Sequence, residues 1–319
     1  NTALGACTLG GSDVNTGDSN VAIGRKSMFD NTSGASNVGV GISSLESNTT
    51  GAINTSTGSF SLACNTTGND NTANGGFAMK ENTTGSNNTA MGRSALRCNT
   101  TGVENTAVGK DALCKNTTAR QNTAVGTSAL RDNTTGACNT AMGFNNLVLN
   151  TTGICNTAVG RASMDANTTG DCNTSIGNNA LSSNTTADNN TAVGSFALEQ
   201  NTTGITNVAV GKLALNRNTT GQQNTSMGAS SLEANTTGSR NSTAGTSSLA
   251  TNISGSDNTA FGHAALGANT TASNNTAVGR ASMQTNTTGT SNVAVGFKSL
   301  LTNTTGGNNV SVGLCSLFS

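Results

Sequence analysis

The feature that most constrains this chain is a 17-residue repeat that runs from Asn20 onward without insertion or deletion. Each repeat follows the pattern N-T-A-V-G-x-x-A-L-x-x-N-T-T-G-x-x, and we number its positions 1 to 17 from the first Asn. The repeats fill residues 20–308, after an irregular first copy (1–19) and before a partial last copy (309–319). A short fixed period is typical of solenoids, in which each repeat contacts only its neighbours. We therefore expect residues 1–319 to form a single solenoid domain.

Charged residues show which positions face the solvent. From Asn20 onward every Lys, Arg, Asp and Glu falls at position 6, 7, 10, 11, 16 or 17. Because charges are rarely buried unpaired, these three pairs of positions should be solvent-facing corners between three walls. Charged residues make up only 9% of the chain, balanced at 15 basic and 15 acidic. This composition predicts no nucleic-acid partner, and the apolar runs are too short for membrane insertion.

The walls have the pattern of short strands. Position 4 is mostly Val, Ile, Met or Phe, position 9 is Leu or Met, and position 2 is mostly Thr or Val. Positions 2 and 4 share one face of a strand, and we expect that face to point inward. Aliphatic residues five positions apart, among Gly and Asn, do not form a helical stripe.

The predicted fold class is therefore all-β, a parallel β-solenoid (β-helix or β-roll) of about 19 coils of 17 residues. At ~4.8 Å per coil, a single elongated rod of roughly 90 Å is expected. The weakest coils should be those with a polar or small residue at position 4, namely Thr57, Asn74 and Ala244. Phe60 and Phe77 at position 7 should partly compensate in two of them.

Asparagine is invariant at positions 1 and 12 from Asn20 onward. Stacked identical amides hydrogen-bond from one layer to the next, so we expect two internal Asn ladders. Position 12 also begins an N-x-S/T sequon in every complete repeat, but acceptors ~4.8 Å apart are too close for full glycosylation. A structural ladder is favoured, with sparse glycosylation as the alternative. The position-12 residues are Asn31, Asn48, Asn65, Asn82, Asn99, Asn116, Asn133, Asn150, Asn167, Asn184, Asn201, Asn218, Asn235, Asn252, Asn269, Asn286 and Asn303.

Threonines at positions 13 and 14 allow two interpretations. Uncharged threonine columns form flat arrays in ice-binding solenoids, and a similar wall would also suit a regular polysaccharide. Alternatively, the threonines fill a narrow core and bond neighbouring coils, which is the interpretation we favour. The sequence does not establish which of the two positions points outward.

Two of the eight cysteines occupy equivalent positions in the first and last copies. Cys7 and Cys315 both lie at position 7, which no other Cys occupies. If two molecules stack head to tail in register, one coil separates these residues, within the ~4.4–6.8 Å Cα range of a disulfide. The pair is therefore a candidate intersubunit disulfide, weighed evenly against coincidence.

The remaining cysteines suggest intrachain bridges. Cys98 and Cys114 lie diagonally on adjacent coils, and Cys138, Cys155 and Cys172 share position 17 on consecutive coils, so that one adjacent pair among the three can bond. Disulfides would indicate an oxidising setting, either extracellular or at a cell or virion surface.

No pattern of catalytic or metal-binding residues emerges. His263 is the only histidine, and no Ser/His/Asp set, paired carboxylates or Cys/His zinc spacing accompanies it. We therefore predict no catalytic residue, no metal site and no cofactor, and a protein that is not an enzyme.

The repeat phrase resembles those of a known group of proteins. The NTAVGxxAL phrase at Asn105–Leu113 and NTTGACNTAMG at Asn133–Gly143 are similar to repeats of bacterial and phage tail-fibre or surface-adhesin proteins. Asn20–Gly24 more distantly resembles the head β-rolls of trimeric autotransporter adhesins. This resemblance implies an extracellular fibre or adhesive stalk, and in the adhesin case a homotrimer of parallel rolls. The 17-residue period and the several cysteines depart from the adhesin pattern.

Together these features predict a structural protein, a subunit or segment of an extracellular filament built by head-to-tail stacking of solenoids. Its main partner would then be another copy of itself. The alternatives are a solenoid that binds ice or a surface glycan through an Asn/Thr wall, and a trimeric adhesin or tail-fibre stalk.

Overall fold

A computed structural model describes residues 1–10 and 15–317. The chain divides into two compact halves, Asn1–Asn156 and Thr157–Ser319, which are described separately. Regular structure in the described residues consists of three-residue strands at positions 2–4 of every copy. Residues 11–14 of the irregular first copy and the last two residues of the partial copy lie outside the described part.

The first half is a stack of nine parallel strands. Each strand pairs with the strand one repeat later in exact register with the 17-residue period, so that Thr106, Ala107 and Val108 face Thr123, Ala124 and Val125. The strands are β1 (Thr2–Leu4), β2 (Val21–Ile23), β3 (Val38–Val40), β4 (Thr55–Thr57), β5 (Thr72–Asn74), β6 (Thr89–Met91), β7 (Thr106–Val108), β8 (Thr123–Val125) and β9 (Thr140–Met142).

The second half repeats the arrangement with ten strands. Thr191, Ala192 and Val193 face Val208, Ala209 and Val210 in the same register. The strands are β10 (Thr157–Val159), β11 (Thr174–Ile176), β12 (Thr191–Val193), β13 (Val208–Val210), β14 (Thr225–Met227), β15 (Ser242–Ala244), β16 (Thr259–Phe261), β17 (Thr276–Val278), β18 (Val293–Val295) and β19 (Val310–Val312). Each half is thus a parallel β-solenoid with 17-residue coils, which confirms the predicted fold class.

Left-handed backbone bends the chain around each coil. Residues at positions 7, 9 and 17 have φ between 47° and 63°, and the Gly at position 5 has φ between 119° and 144°. The glycines at position 15 do not share this conformation, and Ala119, Ala187 and Ala272 replace them in three coils. Gly therefore has a different cause at each position. Backbone conformation requires it at position 5. Close packing favours it at position 15, where a Cβ on Gly102 would lie 2.4 Å from the carbonyl oxygen of Ala119, although three coils accommodate Ala there.

The core is formed by positions 3, 8 and 9, with the asparagines of positions 1 and 12. Ala107, Ala112 and Leu113, for example, are completely buried. The expectation that positions 2 and 4 point inward is wrong, because the strands bury their middle residue and leave both neighbours half-buried or exposed. The inner space of each coil holds mainly small residues at positions 3 and 8 beside the Leu or Met of position 9. Packing around them is close, since a Cβ added at Gly39, at position 3, would lie 3.0 Å from Cε of Met28 at position 9.

The weak-coil prediction depended on the same inward orientation, so the structure removes its basis, and the relative stability of these coils stays a prediction. Thr57 and Asn74 both point outward, where a polar residue costs little burial energy. Phe60 and Phe77 stack on each other at a corner, with ring centroids 5.6 Å apart and planes inclined by 6°. They contact each other on the outside of the coil and do not fill a core defect.

Position 17 offers a test of the left-handed conformation. Ile53 is β-branched, has φ 58° and is 60% exposed. β-Branched residues are disfavoured in this region, whereas Asn tolerates it. We expect Ile53→Asn to raise the free energy of unfolding by about 1 kcal/mol, measured by urea denaturation. The control is Ile42→Asn at corner position 6, where the side chain is 43% exposed and φ is not positive. An equal gain in the control would show that conformation is not the cause.

Candidate functional site

The buried asparagines form the most regular polar array of each half. At position 12, the Nδ2 of Asn99 donates to Oδ1 of Asn82 on the preceding coil at 2.7 Å and to the carbonyl of Gly102 at 3.0 Å. At position 1, the backbone N–H of Asn105 donates to Oδ1 of Asn88 at 3.0 Å, and its Nδ2 donates to the same oxygen at 3.1 Å. The structure therefore confirms the two predicted ladders.

One carbonyl joins the two ladders within each coil. The oxygen of Gly102 accepts from Nδ2 of Asn99 at position 12 and from Nδ2 of Asn88 at position 1. From Asn31 to Asn286 the position-12 side chains are buried, and Asn303 is half-buried. A glycosyltransferase cannot reach a buried amide, so the folded coils favour a structural role for the sequons.

The threonines of positions 13 and 14 have different surroundings. The Oγ1 of Thr100 at position 13 donates to the carbonyl of Thr117 on the next coil at 3.1 Å, and the same bond recurs in both halves. Position 14, such as Thr101 and Thr118, is exposed. Position 13 thus bonds neighbouring coils, as the favoured interpretation predicted. The other part of that interpretation, that the threonines fill a narrow core, is wrong, because position 13 is half-buried in most coils and position 14 is exposed. Position 14 supplies a single outward column of hydroxyl groups.

A second outward surface lies on the strands, and we call it the strand face. It consists of the position-2 and position-4 side chains, and none of these is charged in either half. In the first half Met91 and Met142 are 45% and 44% exposed, and in the second half Met227 and Phe261 are 45% and 42% exposed. In the first half the position-4 column is mostly aliphatic, interrupted by Thr57 and Asn74, and it lies beside a position-2 column that is mostly Thr. Exposed apolar side chains that recur along one face are typical of interaction sites.

The charged side chains lie at the corners, as predicted. No Lys, Arg, Asp or Glu among residues 1–10 and 15–317 is buried. In the first half the Asp132 carboxylate accepts from Arg131 at 2.9 and 3.0 Å, and Lys115 Nζ lies 3.0 Å from Oδ1. The hydrogen bonds from Arg131 hold the pKa of Asp132 below its usual value.

The eight cysteines form no disulfide bond with one another in the described residues. Cys7 and Cys315, assigned to the intersubunit disulfide, are both exposed and have φ 57° and 48°. Cys138, Cys155 and Cys172 are exposed at position 17. The proposed pairings therefore remain predictions.

Cys98 and Cys114 lie on adjacent coils of the first half, where the Cys98 N–H donates to the Cys114 carbonyl at 3.0 Å. Burial, and secondarily the negative charge of a Cys98 thiolate, raise the pKa of Cys114 to about 11. Burial also raises the pKa of Cys98. Since the thiolate is the reactive form, both thiols are held in their unreactive state near neutral pH.

Thiol alkylation tests these environments. At pH 8 we expect iodoacetamide to modify exposed Cys138 at least tenfold faster than Cys114, because almost no Cys114 thiolate exists at that pH. The rate at Cys114 should rise as the pH approaches 11, measured by peptide mass spectrometry over time. Equal rates at the two sites under native conditions would contradict the buried position of Cys114, and urea-unfolded protein is the control in which they should converge.

Other side chains do not converge on a reaction centre. His263 lies exposed at corner position 6 of the second half. Within the described residues, no group of three or more His, Cys, Asp and Glu side chains is placed to hold a metal ion. A search of the same residues finds no helix with the length and hydropathy to span a membrane.

The fold and these surfaces define a β-solenoid repeat protein with two buried amide ladders and an uncharged strand face. No protein-family model matches the chain, and no curated protein matches it either.

Proposed function

We propose that this protein is a non-enzymatic structural protein, a subunit or segment of an extracellular filament in which solenoid coils stack head to tail. The observation that supports the proposal is that successive coils contact each other in the same way. The same backbone bonds, amide bonds and position-13 hydroxyl bonds join successive coils along each half, with Ile253 the one position-13 residue that has no hydroxyl group. A contact that repeats without change allows further coils to add from another chain.

The junction between molecules is proposed to include a disulfide between Cys7 and Cys315. Both are exposed, and both have the left-handed conformation of other position-7 residues, so each presents its thiol in the same way within its coil. The resemblance to tail-fibre and adhesin repeats supports the extracellular assignment.

Electron microscopy of the purified full chain tests the filament. We expect continuous fibres whose diffraction shows an axial spacing of ~4.8 Å, the rise of one coil. Dispersed single molecules at all concentrations would overturn the proposal. Loss of a reducible ladder of multimers in Cys7→Ser, on a denaturing gel, would identify the junction disulfide, and Cys64→Ser is the matched control.

A second function, ice binding, is favoured by one observation. The exposed position-14 column is Thr or Ser in every complete repeat, and its spacing is that of the coils. Thermal hysteresis in dilute, monomeric protein would support this function, and Thr101→Lys should reduce it.

A further inference from the structure

We propose that the strand face of the first half pairs face to face with the strand face of a second copy, with the two stacks parallel and each strand opposite its own counterpart. This inference deepens the proposed function by assigning the surface through which molecules associate laterally. It rests on that function only in taking the partner to be another copy of the chain.

The period of the strand face points to a second copy. The face presents uncharged side chains on nine strands, one coil apart, and another solenoid of the same period matches this spacing along its whole length. Nine strands at ~4.8 Å form a strip of about 400 Å² per copy, and the bordering corners roughly double it. About 800 Å² per partner is the size of a standard stable interface.

The two borders of the strand face carry opposite charges. We call the side of positions 6 and 7 the basic edge, because its charged residues in the first half are Arg25, Lys26, Arg93 and Lys110, with Asp111 the one exception. The Oδ2 of Asp111 lies 3.7 Å from Nζ of Lys110. We call the side of positions 16 and 17 the acidic edge. Its charged residues are Asp18, Asp70 and Glu104, with Arg120 the one exception.

This charge distribution selects one orientation. A twofold axis along the strands would place basic edge against basic edge and acidic edge against acidic edge. A twofold axis along the stack places the basic edge of each copy against the acidic edge of the other, with both stacks pointing the same way. Opposed charges favour the second arrangement. A closed twofold axis has no translation, so every strand faces itself in the partner.

In that register two opposite-charge pairs meet. Glu104 and Lys110 lie on opposite sides of β7, so Glu104 of each copy faces Lys110 of the other. Asp18 and Arg25 lie in the same way on either side of β2. Arg120, on the acidic edge beside β8, faces the uncharged Thr127 of the other copy.

Sedimentation equilibrium of the full chain, in reductant and at low salt, tests the pairing in dilute solution. We expect a dimer, and we expect Val125→Glu, on β8 of the strand face, to weaken it at least tenfold. Position 4 already carries Asn74 in another coil, so a polar residue there is compatible with the fold. Thr118→Glu, at exposed position 14, is the matched control and should leave the dimer intact.

Charge reversal tests the register. Glu104→Lys and Lys110→Glu should each weaken the dimer several-fold, and the double variant should restore it because the pairs re-form with their signs exchanged. The proposal would be overturned if the wild-type chain were a monomer or a trimer. It would also be overturned if the double variant dimerised no more tightly than the single variants. The same experiments distinguish failure of this proposal from failure of the proposed function. Fibres without dimers would overturn only the lateral pairing. Dimers without fibres would overturn only the head-to-tail assembly.

Discussion

Replacing Gly126 by Ala should lower the free energy of unfolding by about 3–5 kcal/mol, the sum of backbone strain and overpacking. Gly126 occupies position 5 with φ 131°, a conformation essentially restricted to glycine. A Cβ at this position would lie 2.2 Å from the carbonyl oxygen of Gly143 on the next coil. Because that atom is backbone, it can move away only by separating the two coils.

The matched control is Gly76→Ala. Gly76 lies at corner position 6, has no left-handed φ, and a Cβ there would come no closer than 4.0 Å to the Ser59 carbonyl oxygen. We expect a change within about 0.5 kcal/mol, or a slight gain from the stiffer unfolded chain. The measurement is the free energy of unfolding of both variants in urea. Equal losses of this free energy would contradict the assigned role of position 5.

The second large effect is expected from breaking an amide ladder. Asn99 is completely buried, donates to Asn82 and Gly102, and accepts from Nδ2 of Asn116 at 2.8 Å. Asn99→Leu keeps the branched shape of the side chain, with somewhat larger methyl groups, but removes all three bonds and leaves buried polar atoms under-satisfied. Each such atom costs about 1–3 kcal/mol, so we expect a loss of about 3–5 kcal/mol in unfolding free energy.

Two further variants separate the amide chemistry from packing. Asn178→Leu, at corner position 6 where Ile42 and Leu314 also occur, should have little effect. Asn99→Asp places a carboxyl group in the ladder, and burial raises its folded-state pKa above the unfolded value. The variant should therefore be more stable at about pH 4 than at pH 7, since protonation relieves the buried charge. An unfolding free energy of Asn99→Asp that did not change with pH would contradict the buried position of Asn99 in the ladder.

The sequence predicted the coil and its corners well. The 17-residue period, the invariant Asn residues and the confinement of charged residues to a few positions all indicate the same geometry. They agree because each position of the repeat has the same environment in every coil of a solenoid. The amide ladders followed from the invariance of positions 1 and 12. These features depend on the repetition of the backbone and on the cost of removing polar groups from water, and both are the same in every coil.

The predicted orientation of the strands is wrong, and the candidate surface was missed with it. The prediction that position 4 faces the core rested on its aliphatic residues, because hydrophobicity usually indicates burial. The usable signal was Asn105 at position 1: once its side chain points inward, period-2 geometry places Ala107 inward and both Thr106 and Val108 outward. Exposed aliphatic residues reverse the usual pattern, and this reversal is what suggests a partner for the strand face.

The amide ladders also give the solenoid a chemical direction. In both columns the side-chain donor lies on the later coil and the acceptor on the earlier one, as for Asn116 to Asn99 at position 12 and Asn105 to Asn88 at position 1. In the amide columns every coil therefore donates from one side and accepts on the other, whereas the position-13 hydroxyl groups donate in the opposite direction. Two molecules that continue these columns must join with unlike sides together, so that any fibre built from this contact has a polarity like that of a cytoskeletal filament, with chemically distinct ends.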